Sequence, residues 1–204
     1  MRGTTHRNAA AVTFAAGLLM ASPAAVAQGR TFAILMPGAG GIHPVDFMVR
    51  NESRIKAAGI ETLVTTSPSQ AASTANAESA KGRKVVIAGM SRGAGHAAAA
   101  LAAGAKVRGA IFVSAVFGDV RANLGSPAVL PRTLVVHHVA DACRVTSPEL
   151  ARSFVQWAQG KATIHWIDTQ GAPAGRDCGP RGAHGFFLKD GPAVSAMIRF
   201  IRSR

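Results

Sequence analysis

Short apolar runs alternate along this chain with longer stretches of helical periodicity. The runs are Thr31–Met36, Glu61–Thr65, Lys84–Ala88, Ala110–Ser114, Thr133–His138 and Thr163–Asp168. At about five or six residues each they have the length of ordinary strands. Helical stretches fall between them, over Val45–Ala58, Arg92–Ala103, Pro148–Gln159 and Pro192–Arg202. In the last of these, Val194, Met197, Ile198 and Ile201 recur at i, i+3, i+4 and i+7, so one face is expected to lie on a sheet. Ser147, Pro148 and Glu149 open the third with a cap and an acidic first turn. The stretch from Ser67 to Arg83 is polar and rich in small residues, and is read as surface with room for a short helix. The alternation predicts an α/β class: a mostly parallel sheet of about six strands with helices on both faces. No insertion between the strands is long enough for a cap domain, so any site is expected to be open.

The N-terminus departs from this pattern. Arg2 and Arg7 precede an uncharged run from Ala9 to Ala27 that ends Ala25-Val26-Ala27. A basic start, an apolar middle and an A-x-A end describe a secretory leader, with cleavage expected between Ala27 and Gln28. A membrane anchor is the alternative, but Gly17, Ser22 and Pro23 interrupt the run. Residues 28–204 then form one domain, periplasmic or secreted, with no further stretch able to span a bilayer. Loss of Arg2 and Arg7 leaves the mature chain at +11 of the full chain's formal +13. Such a charge suggests electrostatic association with anionic envelope components. Nucleic acid is not the expected partner, because the basic residues are scattered singly, without Lys/Arg blocks or interleaved aromatics. Two cysteines, Cys143 and Cys178, are expected to pair in an oxidising compartment. They lack the spacing of a metal site, and nothing in the sequence calls for a metal or cofactor.

Chemistry concentrates where Lys84–Ala88 runs into Gly89-Met90-Ser91-Arg92-Gly93 and a helix of small residues follows. A sharp strand-to-helix turn strains the backbone at the serine and requires glycine-sized neighbours. A serine hydroxyl needs a base to become nucleophilic, and that base needs an orienting acid. Asp141 follows the strand ending at His138, and His184 precedes the final helix. Asp119 is the reserve acid. His137, His138, His165 and His96 lie within or at the ends of elements and are read as core or supporting groups. An oxyanion would be met by the backbone N–H of Arg92 and of Ala39, the latter within Pro37-Gly38-Ala39-Gly40-Gly41. That glycine loop lacks the spacing of a nucleotide site. A Cys143–Cys178 bond would staple the loops carrying Asp141 and His184.

Together, the glycine loop after the first strand, the Gly89–Gly93 elbow, His137-His138-Val139-Ala140-Asp141-Ala142-Cys143 and Ala183-His184-Gly185-Phe186 resemble the small lidless exported members of the α/β-hydrolase superfamily. The resemblance covers nearly all of the mature chain. It departs at Pro37, where many esterases carry histidine, and in the segment from Ser67 to Arg83. It implies a serine hydrolase acting on small-molecule or polymer-linked carboxylic esters, with Ser91, Asp141 and His184 as its triad. The same residues would serve an acyltransferase, and a non-catalytic binding protein on a degenerate hydrolase fold is a third reading.

Overall fold

The computed structural model describes residues 31–169 and 175–204, together with Met1 and Gly3. The expected leader and its cleavage site lie otherwise outside the described residues. Among the described residues no helix is long and apolar enough to cross a membrane.

Six strands form the sheet: β1 (Thr31–Met36), β2 (Glu61–Val64), β3 (Lys84–Met90), β4 (Gly109–Val113), β5 (Thr133–His138) and β6 (Ala162–Ile167). Their order is β2-β1-β3-β4-β5-β6, and every neighbouring pair is parallel. The helices are α1 (Phe47–Ala57), α2 (Pro68–Ala80), α3 (Arg92–Ala102), α4 (Phe117–Leu124), α5 (Pro148–Trp157) and α6 (Asp190–Arg202).

Strand side chains alternate between two cores, because successive residues of a pleated strand point to opposite faces. Phe32, Ile34 and Met36 of β1, Val85 and Ile87 of β3, and Phe112 of β4 meet α2, α3, α4 and α5. Ala33 and Leu35, Val86 and Ala88, and Ile111 and Val113 meet α1 and α6 on the other face. Both faces are covered, so the central strands carry almost uninterrupted apolar sequence. Val194, Met197 and Ile201 of α6 are buried and Ile198 packs beside them, as the periodicity requires.

The differences from expectation have physical reasons. Segment 67–83 holds the full 13-residue helix α2, not a short or fraying one. Ser67 caps it by accepting from the Gln70 N–H at 3.2 Å, Pro68 occupies its first turn, and Ala71, Ala72 and Ala75 are its buried side. Helix α4 was not expected; it opens without a side-chain cap, and its buried positions are Phe117, Val120 and Leu124. β3 continues through Met90, because Gly89 and Met90 still pair with β4. β2 stops one residue early, while β4 and β6 begin and end one residue early, Ser114 already lying at φ 39°. Helix α1 starts at Phe47 because Asp46 is its cap, and α6 begins two residues earlier than Pro192. Helices α1, α3 and α5 also end one or two residues short of their expected C-termini. Ser147 stands at the N-cap position of α5, but its hydroxyl makes no capping hydrogen bond.

Strand β1 pairs with β2 on one side and with β3 on the other. The chain therefore builds outward in one direction after β1 and in the other after β3. The crevice above the carboxyl ends of these two strands is where an open α/β sheet accommodates ligands.

Candidate active site

Ser91 sits between the last residue of β3 and the first of α3, with φ 52° and ψ −119°. Holding a non-glycine residue there costs on the order of 1–3 kcal/mol, so the surroundings must over-determine it. They do. The Ser91 N–H donates to the Val113 carbonyl at 2.9 Å, and its own carbonyl accepts from Ala94 and Val116, each at 3.2 Å. A Cβ on Gly89 would lie 2.5 Å from the Ala94 Cα, and one on Gly93 would lie 2.2 Å from the Met36 carbonyl oxygen. Only glycine lets β1, β3 and α3 converge so closely. The Ser91 hydroxyl itself has no hydrogen-bond partner among the described residues.

Asp141 lies in the loop after β5, and His184 in a 3-10 turn before α6. Both are buried, and the His184 Nδ1 stands 3.1 Å from the Asp141 Oδ2. The Thr146 hydroxyl lies 3.0 Å from the same Oδ2 and 3.1 Å from the same Nδ1. The other carboxylate oxygen of Asp141 accepts the Cys143 N–H at 3.0 Å. With Nδ1 engaged, Nε2 is the nitrogen His184 has left for proton transfer. Behind the acid, His137 is fully buried between the rings of Phe117 and Trp166, its Nε2 3.5 Å from the Asp141 Oδ2. Burial drives the pKa of His137 down to about 4 against the pull of Asp141. At neutral pH this contact therefore joins a neutral imidazole to a carboxylate and is not an ion pair.

The loop after β1 is shaped by Asp46, the cap of α1. Its Oδ1 accepts the Met48 N–H at 2.8 Å and its Oδ2 the Gly38 N–H at 2.9 Å. Burial raises its pKa, while the Gly38 and Met48 amides pull the other way. A Cβ on Gly38 would touch both the Asp46 carboxylate and the Ser91 Cβ at 3.4 Å, which puts this loop against the serine. The backbone N–H groups of Ala39 and Arg92 make no hydrogen bond among the described residues, and Ala39 is exposed. The side chain of Arg92 is exposed and does not line the cavity.

A cavity of roughly 200 Å³ opens between these parts, with Ser91, His184 and Ala39 in its wall alongside Val45, Phe47 and Met90. Cys178 and Pro180 close one side. Cys178 is bonded to Cys143, so the disulfide joins the Asp141 loop to the segment leading into the His184 turn. Arg50 holds that turn from the other side, donating to the Gly185 and Val45 carbonyls and pairing with Asp190 at 2.7 Å.

The structure thus brings Asp141 and His184 together and sets Ser91 and His184 on one cavity. The reserve acid, Asp119, is exposed in the first turn of α4 and makes no contact with His184. His138 donates from Nε2 to the Thr169 carbonyl and accepts the Ala140 N–H at Nδ1, a structural role. Thr146, Asp46 and Arg50 had not been singled out from the sequence. Asp46 carried a legible signal, an aspartate directly before an apolar helical stretch. Thr146 and Arg50 carried none, because the partners that place them at this site, His184 for one and Gly185 and Asp190 for the other, are distant in sequence. Among the described residues no cluster of metal-ligating side chains forms.

No family model matches the chain, and no curated protein is significantly similar to it. Solved structures are similar. An esterase from Exiguobacterium antarcticum aligns over 85% of this chain and 92% of its own, with a TM-score of 0.60 at 12% identity. An α-β serine hydrolase homologue from Coxiella burnetii aligns over 83% and 84%, with a TM-score of 0.61 at 16% identity. A soluble variant of the monoglyceride lipase from Saccharomyces cerevisiae aligns over 87% of each chain, with a TM-score of 0.61 at 10% identity. Identities this low carry architecture and not chemistry. The chain has the α/β-hydrolase fold, in a small form that, among the described residues, has no cap over its sheet.

Proposed function

We propose that this protein is a serine hydrolase that cleaves carboxylic esters through an acyl-enzyme on Ser91. The observation that carries the reading is the Asp141–His184 pair, 3.1 Å apart and opening onto the cavity that also holds Ser91 on its strained turn. In this reading His184 Nε2 takes the Ser91 proton as Oγ attacks the ester carbonyl, and Asp141 stabilises the imidazolium. The Ala39 and Arg92 amides receive the oxyanion. His184 returns the proton to the departing alcohol, then activates water against the acyl-Ser91 ester, releasing the carboxylic acid and restoring the serine. Two of the fold neighbours, an esterase and a monoglyceride lipase, support ester substrates. The cavity volume of roughly 200 Å³ favours short acyl groups. The basic start and apolar run at the N-terminus, read as a leader, and the Cys143–Cys178 disulfide support action outside the cytoplasm.

The test is labelling with a fluorophosphonate probe, using Ser91→Ala and His184→Ala as controls. Labelling of the parent that is lost in both variants is expected, followed by turnover of short-chain esters. A folded parent that is not labelled would overturn the reading.

A further inference from the structure

A fully parallel sheet sorts the chain's charges as well as its loops. All strand starts lie at one edge, and each covering helix runs back so that its C-terminus returns there. Lys84 opens β3, Lys106 and Arg108 precede β4, and Arg132 precedes β5. The last turn of α6 adds Arg199 and Arg202, and the Arg202 guanidinium reaches the Ala58 carbonyl just before β2, which ties that helix end to this edge. All six are exposed, and none has a carboxylate within ion-pair distance among the described residues. The acids of this edge, Glu61 and Glu78, are already engaged by Arg83 and Lys81. Most of the chain's ten acidic residues sit on the loops and helix starts of the opposite edge, where Asp46 lines the cavity. The net positive charge is therefore carried by the face remote from the candidate active site.

We infer that this strand-start face docks the protein on an anionic phospholipid surface, with the cavity turned away from that surface. Three features select the partner. The cations spread across at least three strand starts, at about 4.8 Å per strand, plus a helix end, and so form a broad array suited to a planar charged surface. A depression of about 340 Å³ lies within it, bordered by Arg83, Lys106 and Arg108; Arg83 is already paired with Glu61 and Glu78, so Lys106 and Arg108 are the cationic donors it offers a phosphodiester headgroup. Rings at this edge lie beneath guanidinium groups, Phe200 under Arg204 at 4.6 Å and Phe32 under Arg83 at 5.5 Å, and are not presented for base stacking as a single-stranded nucleic-acid surface would require. Of the larger exposed apolar residues, Ile42, Val139, Val145 and Leu188 belong to loops of the opposite edge, and Val129, in the turn before β5, is the one among the described residues on the docking face, so that face has little to insert and holds mainly by charge. With strands about 20 Å long, the cavity stands well above the surface and faces solvent. The inference does not depend on the role of Ser91.

The test is cosedimentation of the purified protein with vesicles of phosphatidylcholine alone or with 30% phosphatidylglycerol, at rising salt. A triple variant, Lys106→Glu, Arg108→Glu and Arg132→Glu, is compared with Arg144→Glu, Arg176→Glu and Arg181→Glu on the opposite edge, which carries the same change in net charge. Each basic residue at an anionic surface strengthens binding about fivefold, so the first variant should bind the anionic vesicles at least ~100-fold more weakly. The second should stay near the parent, salt should release the parent, and neutral vesicles should not bind it. Equal loss in both variants would overturn the inference, because net charge and not this face would then be acting. So would failure of the parent to bind anionic vesicles at low salt, including the case in which duplex DNA is bound instead.

Discussion

Acidification should weaken the fold through His137. Its imidazole is fully buried, neither ring nitrogen has a well-aligned hydrogen bond, and burial lowers its pKa from 6.5 to about 4. Between those values the unfolded chain binds a proton at this side chain and the folded chain does not. Stability is therefore intact above pH 6.5, declines as the pH falls towards 4, and loses nothing more from this group below that. At 1.36 kcal/mol per pKa unit, the loss attributable to His137 is about 3 kcal/mol. Chemical unfolding of the parent and of His137→Phe, at steps from pH 7 to pH 4, measures it. Phenylalanine keeps an aromatic ring between Phe117 and Trp166 and removes the titration. The parent should lose about 3 kcal/mol more than the variant across this range, whatever constant offset the substitution introduces. Parallel pH profiles would show that the buried imidazole is protonated or hydrated in the folded protein, and would refute the argument.

Three further outcomes can be measured. Gly93→Ala forces a methyl group against the Met36 and Pro37 carbonyl oxygens, 2.2 and 2.3 Å away, and should destabilise by about 3 kcal/mol; a melting temperature equal to the parent's would mean that β1 and α3 do not meet so closely. Reduction of Cys143–Cys178 releases a link spanning 35 residues and should cost about 3–4 kcal/mol of stability while slowing fluorophosphonate labelling; two free thiols in the native protein by mass spectrometry would remove the bond altogether. Thr146→Val deletes the hydroxyl beside Asp141 and His184 and should lower kcat by about 10–100-fold at nearly unchanged KM, by analogy with loss of a hydrogen bond to a charged group. Thr146→Ser should restore most of that rate, and equal rates in parent and valine variant would assign the hydroxyl a packing role.

The strands were legible because buried parallel strands are nearly continuous apolar runs of characteristic length. Val85 to Ala88 and Leu134 to Val136 leave little room for another reading. Helix α2 was not legible as a full helix because its buried side is made of Ala71, Ala72 and Ala75, which contribute little apolar contrast to a periodic pattern. Yet small residues are what this layer needs: Gly95 of α3 leaves only 2.9 Å between a Cβ and the Asp119 Cβ of α4. The serine turn could be read from its own neighbours, since its conformation is set by residues adjacent in sequence. The approach of Asp141 to His184, 43 residues apart, rested on their order along the chain. The Thr146 hydroxyl and the Arg50 clamp depend on tertiary packing that no local pattern records.

The covalent tie between Cys143 and Cys178 also gives the molecule a dependence on its history. Cys143 supplies an amide to Asp141, and Cys178 lies six residues before His184, so the two loops are tied covalently only once both thiols have been oxidised. A chain kept in a reducing environment can complete its sheet, because β1 to β6 do not involve either sulfur, while its Asp141 and His184 loops are joined by the hydrogen bonds among Asp141, Thr146 and His184 without the covalent tie. Assembly of the scaffold and covalent bracing of the site are thereby separable events, and the second waits on oxidation of the two thiols.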